Sequence, residues 1–420
     1  MSFQQGLSGL NAASKNLDVI GNNIANANTY GAKSSRAEFG DMYAAALGAG
    51  GSSNIGIGVN LQAVTQQFSQ GNITTTANGM DLAINGQGFF EVSVGGQTMY
   101  SRNGQFQVNK DGFIVNNQSG QLLGYPADAQ GVIQPGLAVP LQLPTAGIDP
   151  APTTEITMEM NLDSRAAVTL PATTPQVNFS DATTYNNATS LTVYDDLGQD
   201  VALTYYFQKT ATSTWNVYVT ANGTSVAVDG AGDPAPLTTM VFPANGGTPT
   251  APAGAVTLDV PASTNAAGAV TLAIPGIQLD LSGASQFGAG FGVTNLTQDG
   301  YAPGQLSGLS IEKDGIVMAT YSNGQSKPAG QIELSTFRNP QGLKPLGGNL
   351  WARTYESGDP IVGTPGQGNL GVLQSGALEE SNVDLTAELV NMITAQRTYQ
   401  ANAQTIKTQD QVLQTLVNLR

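Results

Sequence analysis

Two pairs of neighbouring carboxylates are the residues best suited to acid–base chemistry, Asp195-Asp196 and Glu379-Glu380. Such a pair can supply a general acid and a general base when its side chains flank a substrate. The first pair, however, falls in a predicted hairpin turn, and the second lies just before a predicted helix, where acids interact favourably with the helix dipole. We therefore interpret both pairs as structural and predict neither catalytic residues nor enzyme activity.

The chain offers few other groups for chemistry. It contains no Cys and no His, which excludes disulfides, thiol catalysis, Ser-His triads and the usual zinc and haem sites. The glycine-rich segments 56–58 and 288–292 could suggest phosphate-binding loops, but neither leads into a helix with the required Lys-Ser/Thr or Rossmann spacing. We interpret both segments as turns or hinges. No cofactor-binding and no metal-binding residues are predicted.

The composition indicates a turn-rich, weakly charged, mostly β protein. Among 420 residues, 15 Lys+Arg stand against 30 Asp+Glu, so the formal charge is −15 and nucleic-acid binding is not expected. Charged residues make up 11% of the chain, against about 25% in a typical soluble domain. The chain also contains 51 Gly and 21 Pro. Because single cores stop growing near about 250–300 residues, we expect more than one domain.

The sequence shows no segment that directs the chain to a membrane or to the general secretory route. Its first cation is Lys15, so a basic region typical of a cleavable signal is missing, and no run of about 18 apolar residues predicts a membrane helix. We infer that the protein either stays inside the cell or leaves by a route that does not cleave its N-terminus.

A helix is predicted at the N-terminus, from about residue 3 to the mid-twenties. Apolar or small residues recur there at alternating spacings of four and three, the heptad pattern of a helical stripe. Asparagines 22, 23, 26 and 28 with Gly31 suit the helix end, because Asn and Gly tolerate left-handed backbone. The stripe consists of Phe3, Leu7, Leu10, Ser14, Leu17, Gly21 and Ile24.

A longer helix is predicted at the C-terminus. Asp384 is a suitable N-cap, and no Gly or Pro interrupts the sequence from there to Arg420. Its polar seam residues Gln396 and Asp410 would lower stability but could fix register or oligomeric order. The stripe consists of Leu385, Leu389, Met392, Gln396, Tyr399, Ala403, Ile406, Asp410, Leu413 and Val417.

Period-two patterns between these helices predict antiparallel sheet over residues 60–370. Alternation at 191–193, 201–207 and 215–219 is typical of strands, and the dipeptides Asn103-Gly104, Asp111-Gly112, Asp314-Gly315 and Asn323-Gly324 favour tight hairpin turns. Pro-, Thr- and Gly-rich stretches at 134–153, 168–176 and 231–265 are predicted to be linkers or long loops. They suggest that one β domain is inserted into another.

The N-terminal stripe needs a partner. Burying its five large residues would contribute about 1.5–3 kcal/mol each, whereas fixing about 22 backbone units costs about 1–2 kcal/mol each before hydrogen bonds are counted. We expect ends that fray in a lone chain and become ordered on association with other copies. The alternative is an intramolecular helix pair that closes an elongated monomer.

Three segments resemble the bacterial flagellar axial proteins of the rod, the hook and the hook-associated group. They are NLDVIGNNIANANTYGAK at 16–33, DLAINGQGFF at 81–90 with YSRNGQFQVNKDGFIVNNQSGQLLGYP at 100–126, and the C-terminal sequence from Glu380 to Arg420. Rod members are much shorter, so the length and the inserted middle resemble the hook members. The resemblance implies a fold that is mainly β with α-helical, coiled-coil-like termini.

The resemblance also implies a function. The chain would be a subunit exported through the flagellar type III apparatus, which self-assembles into a flexible curved tube that transmits torque from rod to filament. Implied partners are other copies, the hook cap, the distal rod and hook–filament junction proteins, and the export apparatus, with no nucleic acid and no membrane insertion. The location would be extracellular, in the hook of the basal body.

The terminal stripes are the predicted self-assembly site. Four parts are expected: a terminal helical domain at 1–30 and 384–420, a connector at 31–71 and 376–383, an inner β domain at 72–145 and 299–375, and an inserted outer β domain at 146–298. The predicted assembly residues are Phe3, Leu7, Leu10, Leu17, Ile24, Leu385, Leu389, Met392, Tyr399, Ile406, Leu413 and Val417.

Other functions remain open at this point. The Thr-, Gly- and Ala-rich middle would suit a surface adhesin or binding module, whose activity would survive loss of both ends. Another rod or hook-associated axial protein is a further alternative. A polysaccharide-cleaving enzyme would need a cleft with two acids about 5–10 Å apart, and the sequence gives no sign of one.

Overall fold

The computed structural model describes residues 2–42, 56, 58–128, 130–144, 147–171 and 174–418. The chain forms two compact units, which are described separately. Unit 1 contains residues 1–145, 308–320 and 326–420, and unit 2 contains residues 146–307 and 321–325. Neither helix in the described part of the chain combines the length and the apolar character needed to cross a bilayer.

Both predicted terminal helices are present in unit 1. Helix α1 comprises Ser2–Ala25 and helix α2 comprises Leu385–Asn418. The predicted N-cap is confirmed, since Asp384 Oδ1 accepts hydrogen bonds from the backbone N–H groups of Thr386 at 2.9 Å and Ala387 at 3.1 Å. These bonds satisfy two of the donors that a helix start leaves free.

Strands occupy most of the chain between the helices. The first ten are β1 Ser35–Met42, β2 Gly58–Gln66, β3 Ile73–Thr75, β4 Leu82–Asn85, β5 Phe89–Val94, β6 Gln97–Ser101, β7 Phe106–Val108, β8 Ile114–Asn116, β9 Gln121–Pro126 and β10 Val139–Pro140. The next ten are β11 Glu155–Asp163, β12 Asn187–Tyr194, β13 Asp200–Ala211, β14 Thr214–Ala221, β15 Thr224–Ser225, β16 Thr238–Val241, β17 Val256–Val260, β18 Ile274–Asp280, β19 Ser285–Phe287 and β20 Gly292–Gln298. The last nine are β21 Leu306–Ile311, β22 Ile316–Tyr321, β23 Ser326–Ile332, β24 Leu334–Thr336, β25 Lys344–Gly347, β26 Leu350–Ala352, β27 Ile361–Gly363, β28 Val372–Ser375 and β29 Ala377–Glu379.

A large sheet forms the β body of unit 1. Its main path runs β21-β22-β23-β9-β5-β6-β26-β25. Side chains of β5 alternate between its two faces: Phe90 and Val92 belong to one buried cluster, whereas Phe89 packs with Tyr100 and Trp351 in a separate aromatic cluster.

The chain enters and leaves this body at one place. Strand β3 pairs antiparallel with β29, and strand β4 pairs antiparallel with β28. Next to the helices, β1 and β2 form an antiparallel pair of their own. Residues 43–55 and 57 lie outside the described part of the chain, so the predicted turn at 56–58 is described only at its two glycines.

Unit 2 contains two five-stranded sheets around one apolar core. Trp215, Tyr205 and Met160 are among its fully buried side chains. One sheet has the order β12-β13-β14-β15, with β16 on β14, and the other has the order β17-β18-β11-β19, with β20 on β11. Most pairs are antiparallel, as predicted; β11 pairs parallel with β18 and β19.

Asp195 closes the predicted hairpin between β12 and β13. It is fully buried, and its Oδ1 accepts hydrogen bonds from the N–H groups of Leu197 at 3.0 Å and Gln199 at 2.8 Å. Its Oδ2 accepts a third bond, of 2.8 Å, from the N–H of Leu272. The structural interpretation of this acid is therefore confirmed.

Two predictions for the β region were wrong. The stretch 231–265 is not a linker, because it contains β16 and β17, whose alternating side chains Met240, Leu258 and Val260 are buried in the core. Asn103-Gly104 does not form a tight hairpin: Gly104 accepts a hydrogen bond from the Leu82 N–H, and a Cβ at Gly104 would lie 1.6 Å from the Leu82 oxygen. Glycine is required at this position because its backbone lies directly against that of Leu82.

Candidate assembly surface and its attachment to the β body

The two terminal helices pack against each other in antiparallel orientation. A Cβ placed on Gly6 would lie 3.1 Å from Ile406 Cγ1, and one on Gly9 would lie 2.9 Å from the Asn402 side chain. Farther along, Asn23 Nδ2 donates a 3.3 Å hydrogen bond to Glu388 Oε1. The residue numbers of these contacts rise along α1 while they fall along α2, so the two helices run in opposite directions. This is the intramolecular pair that the sequence left open as an alternative.

The face of α1 that packs on α2 is not the predicted stripe. Gly6, Ala13, Ile20 and Asn23 are buried, and they repeat at heptad-like spacing on a neighbouring face of the helix. Small residues let the two backbones approach closely. The predicted stripe on α1 stays partly uncovered: Phe3 is 46% and Leu7 is 44% exposed, and Leu10, Leu17 and Ile24 are half-buried.

The predicted stripe on α2 is also largely uncovered. Leu389 and Leu413 are 50% and 53% exposed, respectively. Leu385 and Tyr399 are exposed to a smaller extent, whereas Met392 and Ile406 are half-buried, and the side chain of Val417 lies outside the described residues. The structure thus brings Ile406 against α1 and leaves most of the other predicted assembly residues accessible.

A cavity of about 570 Å³ lies between the helix pair and the β1–β2 strands. Its walls include Asn16 from α1, Asn391 and Thr394 from α2, and Phe39 from β1. Asn16, Asn391 and Thr394 are polar, so an apolar periodicity does not single them out.

Asn23 attaches α1 to the strand that follows it. Its Nδ2 donates to the Ser35 carbonyl and its Oδ1 accepts from the Ser35 N–H, both at 2.8 Å. The side chain is 3% exposed. The Asn23 side chain therefore pairs with the first residue of β1 as a neighbouring strand would. The sequence does not predict this role, because Asn23 is one of several asparagines near the end of the helix.

Three buried charges connect both helices to the β body. Lys33 Nζ lies 2.6 Å from Glu379 Oε1, and Arg102 NH1 lies 3.1 Å from Glu379 Oε2. The side chains of Lys33 and Glu379 are fully buried, and that of Arg102 is 4% exposed. Burial lowers the pKa of both Lys33 and Arg102, and the charge of Glu379 counteracts that shift in each. We call these three residues the charge latch.

Backbone groups add hydrogen bonds to the latch, in which Arg102 Nε is buried without a partner among the described residues. Lys33 Nζ donates to the Ser69 carbonyl at 2.8 Å, and Glu379 Oε1 accepts from the Gly71 N–H at 2.9 Å. Arg102 NH2 donates to the Gly86 carbonyl at 2.9 Å. Buried charges are tolerated when they are paired and hydrogen-bonded in this way.

The segment after α1 docks at the same place. The Gly31 N–H donates to the Glu379 carbonyl at 2.8 Å. Gly31 has φ +71, and a Cβ there would lie 2.5 Å from the Asn103 nitrogen, so only glycine fits. The interpretation of Glu379 as a helix-dipole acid was wrong, because its carboxylate binds Lys33 and Arg102 instead.

Comparison with known proteins identifies the family. Four family models match: flagella basal body rod protein at 3–33, flagellar hook protein FlgE/F/G D1 domain at 83–196, flagellar basal body protein FlaE D2 domain at 161–301, and flagellar basal body rod FlgEFG protein C-terminal at 374–419. The flagellar hook protein FlgE of Escherichia coli is 44% identical, with 100% of each chain covered. The chain belongs to the flagellar hook protein family.

More distant hook proteins also match along the whole chain. FlgE of Rhizobium meliloti is 34% identical over 100% of this chain and 98% of its own, and FlgE of Borreliella burgdorferi is 32% identical over 100% and 99%. The crystal structure of Helicobacter pylori FlgE2 aligns with a TM-score of 0.51 at 14% identity, covering 73% of this chain and 100% of that one. This structural likeness shows a shared fold.

Family membership confirms the predicted hook relationship. As a hook protein, the chain is a structural component of the extracellular bacterial flagellum, in the hook of the basal body. The predicted fold class, mainly β with helical termini, is confirmed as well. Whether the terminal stripes are the assembly surface is not decided by this comparison, and those residues stay a prediction.

Proposed function

We propose that this hook protein polymerises with copies of itself through the uncovered faces of α1 and α2. The observation that carries the proposal is the exposure of Leu7, Leu389 and Leu413, at 44%, 50% and 53%, on helices that are already paired. Each such side chain contributes about 1.5–3 kcal/mol when it is fully buried. A second copy offers the same stripes, so repeated association would bury them.

Polymers of this kind transmit torque only if the helices are firmly attached to the β body. The charge latch supports such attachment, because Lys33 follows α1 and Glu379 precedes α2. Twisting of the helical core would therefore reach the body through buried, hydrogen-bonded contacts. We propose that the chain acts as a torque-transmitting structural subunit and that it has no catalytic role.

The flexibility of the tube is proposed to come from weak contacts between neighbouring copies of unit 2. Its cations are Arg165 and Lys209, and both are engaged within the unit. Arg165 Nε lies 3.0 Å from Asp163 Oδ1, and Lys209 Nζ donates to the Ser164 carbonyl at 2.6 Å. Few cations are then left to form strong ion pairs with a neighbouring copy, so bending would break few of them.

The four-part division predicted from the sequence fits these roles and forms part of the proposal. The helical termini would build the core, the connector would contribute Lys33 and Glu379 to the latch, and the inner β domain would contribute Arg102. The two β domains would face outward. Export through the type III apparatus and contacts with cap, rod and junction proteins remain proposals that follow from family membership.

Assembly of the purified full chain tests the proposal. Raising protein or salt concentration should produce sedimentable tubes visible by electron microscopy. The double variant L7Q/L389Q should raise the concentration needed for assembly at least tenfold, while circular dichroism shows that the β structure is retained. The matched control is L137Q, because Leu137 is 89% exposed in a loop of unit 1, and it should assemble normally.

A contrary outcome is simple to recognise. If chains lacking residues 2–25 or 384–418 still formed tubes, the helices would not be the assembly surface. An adhesin, the alternative, would keep its binding activity in such truncated chains and would not polymerise.

A further inference from the structure

Two acids are buried opposite each other in the β body, outside the charge latch. Glu91 is 5% and Glu333 is 3% exposed. Strand β24 pairs with β5 so that Leu334 meets Phe90 and Ser335 meets Phe89. Extending this register by one residue places Glu333 across from Glu91, on the face of the sheet that carries Phe89, although the Glu333 N–H itself donates to the Leu123 carbonyl of β9 at 3.4 Å. The charge of Glu333 acts on the pKa of Glu91, as expected for neighbouring side chains.

The sheet forks at this position. Strand β5 pairs with β9 from Val92 onward, where Val92 meets Leu122, and with β24 at Phe90. The Tyr125 hydroxyl of β9 donates a 2.7 Å hydrogen bond to Glu333 Oε1. Glu91 Oε1, in contrast, is buried with no hydrogen-bond partner in the described structure.

No ion pair of the described residues includes Glu91 or Glu333. Tyr100, from β6, pairs directly with Glu91 in the sheet and has a pKa raised to about 12, mainly by burial. The pKa of Tyr125 is also raised to about 12, mainly by burial. Both phenols are therefore neutral and bring no charge to the acids.

The nearby cations are engaged elsewhere. Arg353 pairs with Asp359 at 2.6 Å near the surface, and Arg102 belongs to the latch. Two ionised carboxylates in one buried, cation-free place would repel each other, because burial disfavours charge and like charges add to the cost. Burial raises the pKa of Glu91 to about 7, with the Glu333 charge adding to the shift, and burial also raises the pKa of Glu333. The nearby Ser335 hydroxyl partly offsets the rise in the pKa of Glu91, although neither Ser335 Oγ nor Glu91 Oε1 makes a hydrogen bond in the described structure.

We propose that Glu91 and Glu333 hold one proton between them in the folded subunit, so that the β body is weakened when rising pH removes it. The Tyr125 hydrogen bond stabilises Glu333 as the carboxylate, which leaves the proton on Glu91. A divalent cation is a poorer occupant, since Ca²⁺ takes six to eight oxygen ligands and Mg²⁺ keeps several waters. This proton site is a property of the β body and does not depend on the proposed assembly.

The sign of the pH dependence follows from the raised pKa. Below the ordinary carboxyl pKa, both the folded and the unfolded chain are protonated at these groups. Between that value and about 7 the folded chain keeps a proton that the unfolded chain has lost, so stability falls as pH rises. Above about pH 7 the folded chain has also lost this proton, so the full loss of stability is present.

Urea unfolding of the full chain at pH 5.5 and pH 8.5 tests the proposal. The chain has two tryptophans, Trp351 in unit 1 and Trp215 in unit 2, so a W215F background lets fluorescence report unit 1 alone. The expected result is that E91Q reduces the unfolding equilibrium constant at pH 8.5 by at least about tenfold relative to the background, and flattens the pH dependence. The control is E356Q, because Glu356 is exposed in a loop of unit 1. It should change neither the unfolding equilibrium constant nor its pH dependence.

A second measurement does not require a variant that folds. Infrared spectra of the native chain should contain the carbonyl band of a protonated carboxyl group at pH 6 that is lost near pH 8. The proposal is overturned if that band is missing at pH 6, or if E91Q destabilises unit 1 equally at both pH values. It is also overturned if Ca²⁺ or Mg²⁺ stabilises the W215F chain but not its E91Q variant.

Discussion

Lys33 and Glu379 lie 346 residues apart in the chain, and their fully buried side chains meet at 2.6 Å. One residue follows the first helix of this hook protein and the other precedes the last helix. Their contact closes the polypeptide on itself at the point where both helices join the β body.

The variant E379Q should destabilise unit 1 by about 3–5 kcal/mol, because it leaves Lys33 and Arg102 buried without a counter-charge. Urea unfolding in the W215F background, followed by Trp351 fluorescence, measures the change in unit 1. The matched control is E380Q at the next residue, whose carboxylate is more exposed and contacts Asn72 at 3.5 Å. It should cost less than about 1 kcal/mol. Equal effects of the two variants would show that the latch contributes little.

The variant G9L should loosen the contact between the terminal helices, because even a Cβ at Gly9 would lie 2.9 Å from the Asn402 side chain and a leucine side chain extends beyond it. Loss of protection of α1 amides in hydrogen exchange measures the effect. A G21A variant provides the control: nothing lies within 4 Å of its added Cβ, so it should strengthen α1 by up to about 1 kcal/mol. Loss of α1 protection in G21A as well would contradict the observed helix contact.

The variant D384A should weaken the start of α2 by about 1 kcal/mol, because two backbone N–H groups lose their acceptor. Faster hydrogen exchange in the first turn of α2 is the measurement. The conservative variant D384N keeps an acceptor oxygen and should remain close to the native rate. Identical exchange in all three chains would mean that the cap has no part in forming this helix.

The variant D195A should destabilise unit 2 by about 1–3 kcal/mol, since it removes one acceptor from three backbone donors in a buried turn. Trp215 fluorescence in a W351F background isolates this unit. Asp196, the exposed neighbour, gives the control variant D196A, which should be nearly neutral. The turn would have to be reinterpreted if D196A were the more damaging change.

Sequence reasoning succeeded where the signal is local. Periodicity predicted α1 and α2, with an N-cap acid for α2, and the alternating residues at 191–193 and 201–207 predicted the two strands joined by the hairpin that Asp195 closes. That the apolar stripe on α1 needs a partner stays a prediction. The helix pair, however, uses the neighbouring face that contains Gly6 and Ala13, and small residues give no apolar periodicity from which such a contact could be predicted.

Sequence reasoning failed where the partner is distant. Lys33, Arg102 and Glu379 are single charges in unrelated segments, and only the pairing of β3 with β29 brings the last of them beside the others. The role of Asn23 was missed for a similar reason, because its partner Ser35 lies in β1, outside the helix that contains Asn23. The segment 231–265 was misjudged because its many Pro, Gly and Ala residues concealed two short buried strands.

The pairing of β3 with β29 and of β4 with β28 has an architectural consequence. These two pairs form a double-stranded stem. The residues between Asn85 and Val372 therefore begin and end at the same place in the structure. Force on the two termini meets the contact between α1 and α2 first and then the charge latch, and it reaches the residues between the two sides of the stem last. A change of length farther along the chain, within unit 2, would leave the stem and all three latch residues in place.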